Sequence, residues 1–219
     1  TRLNGKVLIT GNCHLVSPNG KTMYQKFIKE LLKINPHLKV IGLTATPYRV
    51  GSGMLTDEGQ LFTDICCNLS DLENFNKFIE EGYLCELIPK KTELTYDLSN
   101  VKMRAGEFVQ KDLQIAVDRE ELTRAAIEEC LLMGSDRKKW LVFTTGIEHA
   151  IHTAEILNEM GISAKAVHSG NKDYKMNNKE RDNIINGFKN DEFKAVVNNG
   201  ILTTGFDHPP VDFVIILRP

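Results

Sequence analysis

Short apolar runs rich in β-branched residues alternate with longer stretches of helical spacing, and this alternation restricts the chain to α/β folds. Residues 7–10 predict a buried strand, residues 22–34 place apolar side chains at helical spacing, and residues 40–43 predict a second strand. A strand, a helix and a strand in this order favour a parallel sheet with a right-handed crossover. The first part of the chain therefore predicts one β-α-β unit.

The second half of the chain repeats the alternation with more strands. Helices are predicted at 119–132, 147–160 and 179–190, and strands at 140–144, 164–168, 195–198 and 211–217. A short helix is predicted at 74–81, and 87–117 are interpreted as a crossing between lobes followed by a strand. The sequence therefore predicts two parallel-sheet lobes, residues 1–88 and 89–219, of which the first is incomplete.

Length and composition exclude several classes of protein. With 219 residues, a net charge of −2 and no apolar run long enough for a membrane span, the chain predicts a cytoplasmic protein without a membrane partner. The five cysteines include no C-x-x-C pair, so neither a zinc site nor a disulfide framework is expected. The adjacent Cys66 and Cys67 are interpreted as half-buried strand residues.

Residues 11–22 end in Gly-Lys-Thr, the closing residues of a phosphate-binding loop. Such a loop needs a glycine where this chain has Leu15, and Pro18 lacks one of the N–H groups that would point at the phosphate. Lys21 and Thr22 are better explained as the start of the following helix. A small phosphate-loop protein that uses Lys21 stays the last-ranked alternative.

Three later features carry a resemblance to a known family. They are Thr-Ala-Thr-Pro at 44–47 after a strand, the strand at 141–143, and the segment 198–212, which contains Thr-Thr-Gly-Phe-Asp. Together they resemble superfamily 2 helicases of the DEAD/DEAH-box type, and in particular their RadD-like bacterial branch. The resemblance covers nearly the whole chain, from motif II to motif V, and implies two RecA-like lobes. Motifs II and III would lie in residues 1–88, and motifs IV and V in 89–219.

The resemblance also implies that motif II is degenerate. The family has Asp-Glu-x-His about thirty residues before Thr-Ala-Thr-Pro, and this chain has Gly11, Asn12, Cys13 and His14 there. In motors of this kind the aspartate holds Mg²⁺ and the glutamate orients or deprotonates the attacking water. Gly11, Asn12 and His14 are thus the candidate catalytic positions, without either carboxylate. An artefact at a truncated end is the alternative explanation.

The remaining candidate site residues are likewise carried over from the family. Polar turns at strand ends share one edge of a parallel sheet, where α/β folds bind ligands, although each turn alone is also an ordinary cap. The resemblance implies a coupling role for Thr44, Thr46 and Arg49, nucleotide binding by Gly205 and Asp207, and nucleic-acid binding by Thr144, Thr145, His168, Ser169, Thr203 and Thr204.

The implied function is part of an ATP-dependent superfamily 2 DNA helicase or translocase. Complete family members use ATP and Mg²⁺, but this chain alone is expected to bind neither and to be inactive. It lacks a phosphate loop, the motif II carboxylates and the final arginine-bearing motif VI, and we interpret it as a fragment. The expected partner is DNA, with RNA as the alternative, and a role in DNA repair follows by analogy. The alternative function is a degenerate helicase remnant that binds nucleic acid or protein without catalysis.

Overall fold

The chain divides into two compact units, residues 1–88 (unit 1) and 89–219 (unit 2). The computed structural model describes residues 7–18, 20–49, 53–104, 107–203 and 205–218. Each unit contains a parallel sheet, and the sheet of unit 1 is the smaller. The predicted α/β fold class is therefore confirmed.

Unit 1 is built on two parallel strands, β1 (Val7–Gly11) and β2 (Lys39–Leu43), with α1 (Met23–Ile34) between them in the chain. Ile9 pairs with Ile41 in the register of the two strands. Within its described residues the unit also contains a 3-10 turn at Cys13–Leu15, an antiparallel pair and one further helix, namely β3 (Tyr48–Arg49), β4 (Gly53–Met54) and α2 (Leu72–Glu80).

The prediction that residues 7–10 form a buried strand is wrong with respect to burial. Ile9 is 62% exposed, and the apolar side chains of Val7, Ile41 and Leu43 are exposed with it. Alternate residues of a strand face opposite sides of a sheet, and only the other side of this sheet is partly covered. On that side a Cβ at Gly42 would lie 2.6 Å from the Cys13 thiol and from the Phe62 ring, so glycine is needed there.

Two further expectations about local structure are wrong. Cys66 and Cys67 are exposed and lie outside any strand. The segment expected to end in a strand forms a short hairpin followed by a helix, α3 (Gln110–Val117). Leu113 and Val117 are both buried, and residues four apart share one face of a helix. The hairpin consists of β5 (Met103–Arg104) and β6 (Glu107–Phe108).

Unit 2 contains a four-stranded parallel sheet with helices beside it. The strands are β7 (Trp140–Thr144), β8 (Ala164–His168), β9 (Ala195–Asn199) and β10 (Phe213–Leu217). Their order in the sheet is β10-β7-β9-β8. The helices that precede or connect them are α4 (Glu120–Gly134), α5 (Ile147–Glu159) and α6 (Asn178–Lys189). The predicted strands at 140–144 and 164–168 have these same bounds.

The two central strands of this sheet, β7 and β9, are buried on both faces. One face packs a cluster that includes Trp140, Val142, Val197 and Ile215, together with residues of α4 and α5. The opposite face packs Leu141, Val167 and Val196 against Phe188 and Phe193. Because β7 and β9 are buried on both faces, apolar residues follow one another in their sequences instead of alternating with polar ones.

Asp212 joins the amino ends of β7 and β10. Its carboxylate accepts hydrogen bonds from the backbone N–H of Lys138 at 2.9 and 3.0 Å and of Lys139 at 2.8 Å. In return, the N–H groups of Asp212 and Phe213 donate to the Lys139 carbonyl at 3.1 and 3.2 Å. One carboxylate therefore sets where the central strand β7 begins.

We expect Asp212→Ala to lower the free energy of unfolding of unit 2 by about 1 kcal/mol, because two backbone N–H groups lose a charged acceptor. Asp136→Ala is the matched control, since that carboxylate pairs with Arg137 at the surface and its loss should change stability by less than about 0.5 kcal/mol. Urea unfolding followed by the fluorescence of Trp140, the single tryptophan, reports on unit 2. Equal losses in the two variants would contradict this assignment.

Candidate functional site

In unit 1 the turn after β1 contacts the segment after β2. The turn begins at Gly11 and Asn12, and Cys13–Leu15 form a single turn of 3-10 helix. Asn12 has the left-handed conformation, with φ 48° and ψ 42°, which asparagine tolerates better than most residues. His14 Nδ1 lies 2.8 Å from Thr44 Oγ1, so the predicted motif II and Thr-Ala-Thr-Pro positions are in direct contact.

Hydrogen bonds around Thr44 connect His14 to Thr46. The Thr44 hydroxyl accepts from the Thr46 N–H at 3.1 Å and lies 3.2 Å from the Thr46 carbonyl. A hydroxyl has a single proton to donate, so either the Thr46 carbonyl or His14 Nδ1 receives it. In both arrangements Thr44 joins the turn after β1 to Thr46.

Arg49 fastens the turn from the other side. Its Nε donates to the His14 carbonyl at 2.6 Å, one terminal nitrogen donates to Gln60 Oε1 at 2.7 Å, and the other donates to the Val16 carbonyl. The guanidinium thus stabilises the backbone on both sides of Leu15. The structure therefore brings together His14, Thr44, Thr46 and Arg49.

The residues at the start of this turn do not fit a bound Mg²⁺. Mg²⁺ is held in proteins chiefly by carboxylate oxygens, and neither Gly11 nor Asn12 carries one. A Cβ built at Gly11 meets no atom within 4 Å, so the fold leaves room for a side chain that the sequence does not supply. No group of three or more metal-ligating side chains occurs in the part of the chain that the structure describes.

In unit 2 the predicted contacts lie at one edge of the sheet. Thr144 and His168 are the last residues of β7 and β8, and Asn199 is the last residue of β9, which lies between them. All three strands run parallel, so their carboxyl ends share the same edge. Thr203 follows β9 by four residues.

Thr144 and Thr145 are buried, and their side chains are engaged within the protein. The Thr144 hydroxyl lies 3.3 Å from both the Gly146 and the Asn198 carbonyls, which share its single proton. The Thr145 hydroxyl lies 2.9 Å from His149 Nδ1. In this structure the two hydroxyls hold the turn after β7, and as contacts to nucleic acid they stay predictions.

His168 is 3% exposed, and its protonation is set by a neighbour. The Gly170 N–H donates to His168 Nδ1 at 3.1 Å, so the ring proton lies on Nε2. Burial lowers the pKa of His168, and the nearby Arg181 lowers it further. His168 is therefore a neutral N–H donor at ordinary pH, whereas the following Ser169 is exposed.

The segment after β9 carries the other predicted contacts. Thr203, Gly205 and Asp207 are exposed, and Gly205 has a φ of 77°, which favours glycine. Thr204 lies outside the described residues. The exposed groups at this edge are thus Ser169, Thr203 and Asp207, together with the Gly205 backbone.

Sequence reasoning missed two asparagines at this edge. Asn199 Nδ2 donates to the Thr144 carbonyl at 3.2 Å. Asn198 Oδ1 accepts from the N–H groups of Ile201 and Leu202 at 2.9 and 2.7 Å. The signal was polar side chains at the end of an apolar strand, directly before a glycine.

Comparison with known proteins assigns the larger part of unit 2. Residues 123–219 match the family model of the helicase conserved C-terminal domain. These 97 of the 219 residues are similar to that domain. The superfamily 2 resemblance is confirmed at this level, whereas the RadD-like branch stays a prediction.

Curated relatives align with more of the chain than the family model does, including part of unit 1. The chain is 29% identical over 184 residues to a Saccharomyces cerevisiae protein named as an ATP-dependent helicase, IRC3, covering 83% of this chain and 25% of that protein. It is 29% identical over 220 residues to a Schizosaccharomyces pombe protein named as a mitochondrial ATP-dependent helicase, covering 96% of this chain and 32% of that protein. The chain thus spans a quarter to a third of the length of these curated relatives.

The Pyrococcus furiosus Hef helicase domain is a solved structure with partial similarity. Its TM-score is 0.36 at 29% identity, and the alignment covers 46% of this chain and 20% of that one.

No helix among residues 7–18, 20–49, 53–104, 107–203 and 205–218 is both long and apolar enough to cross a membrane.

His149 connects the turn after β7 to α4. His149 is fully buried. Its Nδ1 lies within hydrogen-bond distance of Thr145 Oγ1, and its Nε2 lies 3.5 Å from Thr123 Oγ1. Burial lowers the pKa of His149 from 6.5 to about 4, with a smaller raising contribution from Asp118 and a lowering one from His152. The folded protein therefore keeps this imidazole neutral where the unfolded chain protonates it.

We expect the stability of unit 2 to fall as the pH drops from about 6.5 towards about 4, because in this window the unfolded chain binds a proton that folded His149 does not. Between about pH 7 and about pH 5 the His149 contribution is about 2 kcal/mol. His149→Gln should lose less stability over this range, as measured by urea unfolding at the two pH values. An equal loss in the variant and the unaltered chain would show that His149 does not cause it.

Proposed function

We propose that this chain is part of an ATP-dependent superfamily 2 DNA helicase or translocase, in which ATP hydrolysis is coupled to movement on nucleic acid. The match of residues 123–219 to the helicase C-terminal domain carries this proposal. Relatives named as ATP-dependent helicases support it, although the chain spans only part of their length. The Thr-Ala-Thr-Pro and Thr-Thr-Gly-Phe-Asp segments support placement in the RadD-like branch and a role in DNA repair.

We further propose that unit 2 binds single-stranded nucleic acid along the carboxyl edge of its sheet. The exposed hydroxyls of Ser169 and Thr203 are donors suited to phosphate oxygens, which carry no sequence information. The neutral N–H of His168 is a further donor beside them, on a side chain that is itself buried. We assign DNA as the partner, with RNA as the alternative. The bases would remain available to other parts of the complete protein.

We expect fluorescein-labelled oligodeoxythymidylate to bind the chain weakly, and its affinity to fall steeply with salt, with a log–log slope of about −0.7 for each phosphate contacted. Ser169→Ala should weaken binding by about two- to tenfold, because one phosphate contact is lost. Ser135→Ala is the matched control, since this exposed serine precedes β7 at the opposite edge of the sheet. Fluorescence anisotropy at several salt concentrations measures both, and equal effects of the two substitutions would contradict the assigned edge.

A second candidate function is a binding module without catalysis, and a specific observation favours it. In complete family members ATP is bound with Mg²⁺, which neutralises charge on the phosphates, while a carboxylate orients the attacking water. At these positions the chain has Gly11, without a side chain, and Asn12, whose amide cannot accept a proton. The contact between His14 and Thr44 nevertheless keeps the frame of the turn.

We expect the purified chain to release no phosphate from ATP above background, with or without single-stranded DNA, because both motif II carboxylates are missing. A coupled phosphate-release assay measures the rate, and Thr46→Ala is the companion variant because it alters the coupling segment. DNA-stimulated release that survives Thr46→Ala would refute the proposal of inactivity. Nucleic-acid binding without hydrolysis would favour the binding module.

A further inference from the structure

We propose that Asn198 is a positioning residue for nucleic-acid binding by unit 2, an inference that rests on the proposed function. Its carboxamide oxygen accepts two successive backbone N–H groups, those of Ile201 at 2.9 Å and Leu202 at 2.7 Å. Thr203 follows directly, with its side chain exposed. Asn198 thereby holds the residues that present Thr203 at the sheet edge.

The backbone after β9 explains why a side chain is needed for this purpose. Gly200 has a φ of 71°, which turns the chain sharply at the strand end and takes residues 201 and 202 out of the ladder. Their N–H groups then need another acceptor, since buried backbone donors are almost always paired. The Asn198 oxygen supplies it for both.

The hydrogen bonds also fix which way the carboxamide faces. Both donors come from the loop, so the oxygen lies on the loop side and the amide cannot flip without breaking two bonds. Asn198 is 1% exposed, and its Nδ2 has no partner among the residues that the structure describes. The hydrogen bonds of this buried side chain are thus those of its oxygen.

Asn199 provides a matched comparison at the adjacent position. It carries the same carboxamide, but its Nδ2 donates to the Thr144 carbonyl on β7 and does not hold residues 201 and 202. Loss of Asn198 should therefore affect binding through Thr203, whereas loss of Asn199 should act independently of Thr203. Two residues that act through one contact give non-additive losses, and independent residues give additive ones.

The test is a double-mutant cycle on the full 219-residue chain, with oligodeoxythymidylate affinity measured by fluorescence anisotropy. Asn198→Ala and Thr203→Ala should each weaken binding by about tenfold, and the double variant should bind no more weakly than the weaker single variant. In the control cycle, the losses from Asn199→Ala and Thr203→Ala should multiply. Amide hydrogen exchange at residues 201 and 202 should accelerate in Asn198→Ala but not in Asn199→Ala.

Asn198→Ser is a second variant for the same cycle, because a serine side chain is too short to accept both N–H bonds. If Asn198→Ala does not fold, Asn198→Ser should give the same non-additive losses. Trp140 fluorescence confirms that unit 2 is folded in each variant. Multiplying losses in the Asn198 cycle, or unchanged affinity in Asn198→Ala or Thr203→Ala, would overturn this inference alone. Absence of binding by the unaltered chain would overturn nucleic-acid binding by unit 2, and this inference with it.

Discussion

The parallel hydrogen-bond ladder of β10, β7, β9 and β8 is the constraint on which the proposed site depends. Each strand enters from the same side, so every polar turn that follows β7, β8 or β9 emerges at one edge. Residues 144, 168 and 199 reach this edge from segments far apart in the chain. The two central strands, β7 and β9, are buried on both faces, and their packing stabilises this arrangement.

At that edge, some polar side chains are hydrogen bonded to the backbone, and others are exposed and can contact a ligand. Thr144, Asn198 and Asn199 are hydrogen bonded to main-chain groups of neighbouring strand ends and turns, so these side chains have partners within the protein. Ser169 and Thr203 are exposed next to them. A turn that must present a donor to a ligand needs such buried partners, because an exposed loop without them would lose its geometry.

The α/β fold class, the bounds of β7 and β8 and the positions of α4, α5 and α6 could be predicted from the sequence, because long periodic segments specify both their type and their buried faces. Two features required three-dimensional information. The exposure of Ile9 depends on how many strands join β1, which no local pattern contains. The proposed role of Asn198 depends on two backbone N–H groups in the segment that turns back after Gly200. A polar residue at a strand end does not by itself predict that contact.

In unit 1, the turn after β1 is held by contacts with neighbouring residues. Cys13 packs against Gly42, His14 contacts Thr44, and Arg49 binds the carbonyls on both sides of Leu15. None of these contacts involves the side chain of residue 11 or 12. The backbone of the turn therefore needs no acidic side chain at these two positions, which the family resemblance aligns with the carboxylates of motif II. Under that proposed alignment, the residues that hold the turn are different from those that would bind Mg²⁺ or orient a water.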